Sequence, residues 1–332
     1  MPATHHQKLS VFDGEVLYIG GLDLNERRWD TTSYDRKASE TWHDIQAIVQ
    51  GPIVAAAQSH LRTFKDVAAG VKEPEEASDS FLRTISTRRR FPFFHISPNP
   101  RITEIETAHL RAIKSANGPI YLETQFFRHR PLAEALAAAA GHNQDLGLMM
   151  VLPAAPEDVA FRGNRNLDAR MGAQQQMEAL EILKEAFKDR LALASPVQRR
   201  PAETAEGGPA LLHGSPQIYV HSKLSLFGLR EGILSSANLN GRSLRWDTEA
   251  GLHLKNPKHI TLLWSKVLCA WLGSTAPDPS GDPIDFIASV NRLLAANMVL
   301  APENRIHHLL PFARGKDVAL AQTVHGVPDE LV

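Results

Sequence analysis

The spacing of apolar positions along the chain changes repeatedly, and the changes mark the predicted elements. Positions 8–12 and 16–19 are short β-branched and aromatic runs separated by Asp13-Gly14, which predicts two strands joined by a turn. A third strand is predicted over 44–49. Positions 53–64 have helical spacing, with Pro52 suited to the first turn. Residues 66–102 follow neither period. They hold four prolines, the run 73–76 and the basic run Arg88–Arg90, and are expected to form an irregular connection with its arginines on a solvated face.

Beyond that connection, helical spacing covers 104–115, 132–140, 172–188 and 259–272. Strand-like runs cover 119–127, 146–152, 191–194, 217–226, 232–235 and 252–254, and a polar loop is expected over 196–214. Strands alternating with helices predict an α/β fold with a mixed or parallel sheet covered on its faces.

Composition narrows the function classes. Of the 332 residues, 36 Lys and Arg face 37 Asp and Glu, a net charge of −1, with 43% apolar residues. That is a chain able to bury a core, not a disordered polyelectrolyte. The balance argues against gripping long nucleic acid by bulk charge, so no nucleic-acid partner is expected. A single cysteine, Cys269, excludes a disulfide framework and a cysteine-rich zinc site. The apolar stretches 132–140 and 146–155 are too short to span a bilayer, and nothing at the start reads as a signal peptide; neither feature fixes a compartment.

An internal repeat carries the chemistry. His6-Gln7-Lys8 near the start is matched by His221-Ser222-Lys223. Fifteen residues after each histidine comes the second member of a small pair, Gly20-Gly21 and Ser235-Ser236. Two residues further stand Asp23 and Asn238, then arginines Arg27 and Arg242, then an acid opening the next apolar run, Asp44 and Glu249. His253-Leu254-Lys255 also fits His-x-Lys but lacks every later member, so the whole spaced set is the signal. Alternation along a strand would put each His and Lys on one face. A group that attacks or protonates, a fixed cation and neutral donors form the set that phosphodiester chemistry requires. No metal or other cofactor is called for by these residues, and no metal-ligand spacing is visible.

These motifs resemble the phospholipase D superfamily, and the resemblance extends over nearly the whole chain. It rests on the two His-x-Lys sets, on His6 followed seven residues later by Asp13, and on Gly20-Gly21-Leu22-Asp23, Arg28-Trp29-Asp30 and Trp42-His43-Asp44, closer to phospholipase D proper than to the nuclease branch. In the second half it rests on Ile120-Tyr121-Leu122-Glu123-Thr124-Gln125-Phe126-Phe127, Ser236-Ala237-Asn238-Leu239-Asn240 and Asp247-Thr248-Glu249. The resemblance implies two similar lobes, each a mixed sheet flanked by helices, over 1–102 (with the connection) and 103–332, sharing one site. It implies His6 as nucleophile and His221 as general acid, with the reverse order open. Lys8, Lys223 and Asn238 would hold phosphoryl oxygens, with Asp13 completing the first motif and Ser236 behind. Glu249 would orient His6, and Asp44 would orient His221. The implied substrate is a phospholipid at a membrane surface, hydrolysed to phosphatidate. The alternatives are phosphatidyl transfer of the cardiolipin synthase type, or an inactive phospholipid-binding remnant.

Three departures qualify this pattern. Gly228 stands seven residues after His221 where an acid is expected. Asp23 stands opposite Asn238. Only five residues precede His6, whereas 102 separate Pro119 from His221, so the first lobe is expected to lack its N-terminal part and to self-associate. Among single residues, His109 and His213 are expected to be core or surface groups and Trp29 and Trp42 packing groups. Glu123 and Gln125 are open between site support and structural bonding.

Overall fold

A computed structural model describes residues 3–312 except 24, 26, 27, 90–96 and 165. Leu24 and Arg27 of the first repeat, and Arg90 of the basic run, lie outside the described residues. The chain opens with β1 (Leu9–Phe12), β2 (Val16–Gly20), β3 (Trp42–His43), β4 (Gln46–Gln50) and α1 (Ile53–Ala68). Next come β5 (Phe81–Thr87), β6 (Asn99–Thr103), α2 (Glu104–Ser115), β7 (Ile120–Glu123), α3 (Arg130–His142), β8 (Leu148–Val151), α4 (Glu157–Arg162), α5 (Leu167–Phe187) and β9 (Leu191–Pro196). The remainder is β10 (Leu211–Leu212), β11 (Ser215–Pro216), β12 (Tyr219–Val220), β13 (Leu224–Phe227), β14 (Glu231–Ser235), α6 (Gly241–Arg245), β15 (Glu249–Leu254), α7 (Pro257–Leu272), α8 (Pro283–Met298) and β16 (Leu309–Pro311).

The fold is α/β. A nine-stranded mixed sheet runs in the order β16-β9-β8-β7-β13-β14-β15-β5-β6, with β7, β8 and β9 parallel and the other pairings antiparallel. Its central strands, such as Leu148–Val151 and Leu224–Phe227, are buried throughout, as strands covered on both faces must be. The first half adds a separate antiparallel sheet, β1-β2-β4. One apolar cluster joins them: Leu17, Ile19 and Val54 pack with Tyr121, Val220, Trp264 and Trp271.

Two expectations fail here. Residues 66–102 are not wholly irregular, because β5 and β6 extend the large sheet from the edge of β15. Polar Arg83, Thr84 and Ser86 hid β5 from the pattern; each is buried against a partner distant in sequence. The Arg83 side chain donates twice to Glu104, Thr84 to the Leu244 carbonyl and Ser86 to the Trp246 carbonyl. The second failure is the strand over 217–226, which breaks into β12 and β13 and leaves His221, Ser222 and Lys223 between them.

Candidate active site

Both His-x-Lys segments lie outside regular strands, so strand alternation does not pair the side chains as expected. Each lysine folds back instead. Lys8 Nζ donates to the His6 carbonyl at 2.8 Å, and Lys223 Nζ donates to the His221 carbonyl. The small pairs hold equivalent places. Gly20 N–H donates to the Lys8 carbonyl and Ser235 N–H to the Lys223 carbonyl, at 3.3 and 3.1 Å. Gly21 N–H reaches the Ile45 carbonyl as Ser236 N–H reaches that of Ala250.

Each histidine takes its partners from the other half. His6 N–H donates to the Thr248 carbonyl at 3.0 Å, and its Nδ1 lies 2.9 and 3.1 Å from the oxygens of Glu249, the next residue. His221 N–H donates to the His43 carbonyl at 2.8 Å, and its Nδ1 lies 2.7 Å from Asp44, again the next residue. A carboxylate only accepts, so both rings donate from Nδ1 and leave Nε2 outside that bond. Glu249 also accepts from Ser236 Oγ at 2.5 Å. The first copy has glycine at the matching place because a Cβ on Gly21 would sit 2.3 Å from Asp44 Oδ1.

Burial sets the charges. It is the main force lowering His221 to about 3, aided by Lys223 and opposed by the Asp44 hydrogen bond, so the ring is neutral at pH 7. Burial likewise lowers Lys223 to about 7 and Lys8 to about 8, Arg28 adding to both. It would raise Asp44 and Glu249, but hydrogen bonds and nearby positive charge overcome it and hold both carboxyls below their ordinary values. Lys8 and Lys223 each feel both Asp44 and Glu249, so the two motifs share one electrostatic cluster.

The remaining predicted residues divide. Asn238, two residues beyond Ser236, is buried, and its Oδ1 has no partner among the described residues. Asp23 is bound by Lys8 at 3.2 Å and by Arg28. Asp13 is not brought to the cluster: it stands exposed in the β1–β2 turn at φ +53. Gly228 holds the same place in the β13–β14 turn at φ +56. Both are residue types that tolerate left-handed backbone, so position seven shapes a turn, and the second copy needs no acid there. Glycine is also required at 228 because a Cβ would lie 2.6 Å from the Asn117 carbonyl.

Sequence reading left Glu123 open between site support and structural bonding, and did not show the layer it anchors behind His221. Glu123, fully buried, accepts from His43 Nε2 at 2.9 Å, Trp271 Nε1 at 2.6 Å, Ser222 Oγ and Tyr121. Tyr34 meets the other His43 nitrogen at 2.5 Å. Trp42 packs 4.9 Å from the His221 ring, with Arg28 over its face at 4.5 Å. His109 is a satisfied core group between Ile105 and Ser225, His213 is exposed, and Trp29 is 77% exposed. Among the described residues, no three or more His, Cys, Asp or Glu are grouped to hold a metal, and no helix is long and apolar enough to cross a membrane.

No protein-family model matches the chain. It is 22% identical to phospholipase D alpha 1 of Carica papaya across 93% of its own length and 54% of that protein. It is 25% identical to a cardiolipin synthase of Listeria monocytogenes serotype 4a across 44% of its length and 30% of the synthase. The chain thus spans about half or less of these curated relatives. Among solved structures, phosphatidylserine synthase of Haemophilus influenzae Rd KW20 superposes with a TM-score of 0.47 at 12% identity, covering 80% of this chain and 60% of that one. The two sequence similarities agree with the twofold motif, and on these grounds the chain belongs to the phospholipase D superfamily.

Proposed function

We propose that the chain is a phospholipase D-type phosphodiesterase that acts on phosphatidyl esters at a membrane surface. The observation that carries this reading is the reciprocal pairing of His6 with Glu249 and of His221 with Asp44. His6 Nε2 attacks phosphorus as the bond to the leaving alcohol breaks, and that oxygen takes a proton from His221. Water then gives a proton back to His221 and attacks phosphorus; the P–N bond breaks and phosphatidate leaves. Lys8, Lys223 and Asn238 bear on the charge of the phosphoryl oxygens. The incoming phosphodiester anion raises the affinity of His221 for the proton it must deliver. The neutral state of His221 before binding favours the reverse order, in which His221 attacks.

Transfer to a lipid alcohol differs only in the acceptor of the second step, and the similarity to cardiolipin synthases supports it as the second reading. The test is turnover of a phosphatidyl ester with and without glycerol-containing acceptors, followed by alkaline-quench mapping of the phosphorylated histidine, since the P–N bond survives alkali and not acid. Label on His6 supports the proposed order and label on His221 reverses it. Turnover without label on either histidine through a single-turnover time course excludes an accumulating phosphohistidine.

A further inference from the structure

Arg128 is a buried cation that the proposed chemistry leaves unused. It is 9% exposed, yet among the described residues no hydrogen bond or ion pair reaches its guanidinium, and its Nε is wholly enclosed. Proteins rarely bury a charge without bonding it. The group is nonetheless held firmly in place. It lies 4.0 Å over the Phe126 ring, and its far side presses on α5 where Gly172 makes room: a Cβ there would lie 2.4 Å from Nη1. A glycine inside a 21-residue helix weakens it, so the space has a structural cost. Asp158 and Asp168 attract the charge without bonding to it, and Asp158 is engaged by Asn164 Nδ2 at 2.6 Å.

A chain of neighbours connects it to the histidines. Arg128 follows the carboxyl end of the parallel strand β7, the side of an α/β sheet where ligands bind. Its backbone N–H donates at 2.8 Å to the carbonyl of Leu239, the neighbour of Asn238. Its charge also feels Tyr219, which receives a hydrogen bond from Gln125 and packs tilted against Trp42 at 4.8 Å, the ring beside His221.

Resting on the phosphodiesterase reading, we propose that Arg128 forms an anion subsite that receives a second phosphate or carboxylate carried on the alcohol side of the substrate. The diacylglycerol side carries no anion, so only the alcohol side can supply one. The cradle of Phe126 and Gly172 leaves the guanidinium fork ready for a bidentate bond.

The test is calorimetric binding of alkanediol bisphosphates with three to six methylenes, compared with the matching monophosphates. The intact chain should bind the best-spanning bisphosphate at least roughly tenfold tighter than its monophosphate. Arg128→Gln should bring that ratio near one, leave the monophosphate affinity unchanged and not lower the melting temperature, since the charge it removes bonds to nothing. Gly172→Ala, which pushes the guanidinium aside, should also collapse the ratio and carries the test if R128Q does not fold. A ratio near one in the unaltered chain, or one that survives both substitutions, overturns the subsite. Two inorganic phosphates bound per unaltered chain and one per R128Q chain would assign Arg128 to a free ion and overturn the substrate-borne version. A preserved ratio without turnover of a phosphatidyl ester removes the phosphodiesterase reading and leaves the subsite standing.

Discussion

Among single residues, the carboxylate beside each histidine fixes which ring nitrogen carries the proton and which is left to react. Glu249→Gln and Asp44→Asn keep size and remove that constraint. Each is expected to lower kcat by roughly 100-fold or more with little change in melting temperature, read by steady-state kinetics beside thermal unfolding. The lysines set a pH dependence. Lys223 loses its proton near 7 in the folded chain and near 10.5 in the unfolded one, so between those values the unfolded state binds more protons. That group's contribution therefore makes stability rise with pH across this window, while kcat/KM falls because the phosphate loses its cation. Lys223→Arg should move the alkaline limb of the rate profile upward, since arginine stays charged. An unmoved limb would assign it to another group. His6, Lys8, His221, Lys223, Asn238, Asp44 and Glu249 were legible because their spacing occurs twice. Arg128 occurs once and in no period, and the cost of its burial shows only when its surroundings are known.

At the scale of elements, the two halves meet through very short pairings. Tyr219 and Val220 pair with Trp42 and His43, and His5 bridges Thr248; the histidines stand immediately after these contacts. Glu123 ties this junction to β7 and α7. Glu123→Leu removes the acceptor for His43, Trp271, Ser222 and Tyr121 at once and is expected to cost ~3 kcal/mol or more in denaturant unfolding. A loss under about 1 kcal/mol would mean that these donors find other partners. The sequence offered Glu123 only as one of two alternating polar residues, because three of its four donors come from segments distant in sequence. β5 escaped for a related reason: hydrophobic period cannot reveal a strand whose buried polar groups are satisfied at long range, by Glu104, Leu244 and Trp246.

For the molecule as a whole, the packing of Leu17, Ile19 and Val54 against Tyr121, Val220 and Trp271 places parts of both halves in one core. Unfolding followed by circular dichroism and by tryptophan fluorescence should therefore coincide in a single transition. Leu17→Ala should lower that common transition by about 2–5 kcal/mol without separating the two signals. A distinct early transition in either signal would show that the β1-β2-β4 sheet melts alone. The reciprocal bonding of the histidines has a genetic consequence as well. Lesions in Asp44 and His221, 177 residues apart, strike the same dyad, as do lesions in Glu249 and His6, 243 apart. Asp44 and His6, in the same half, serve different ones. Epistasis should therefore run across the halves: a second lesion adds little when it falls on its dyad partner and compounds the damage when it falls nearby in sequence. Under mutational drift neither copy can be lost or repaired by itself, because each holds half of the other's working part.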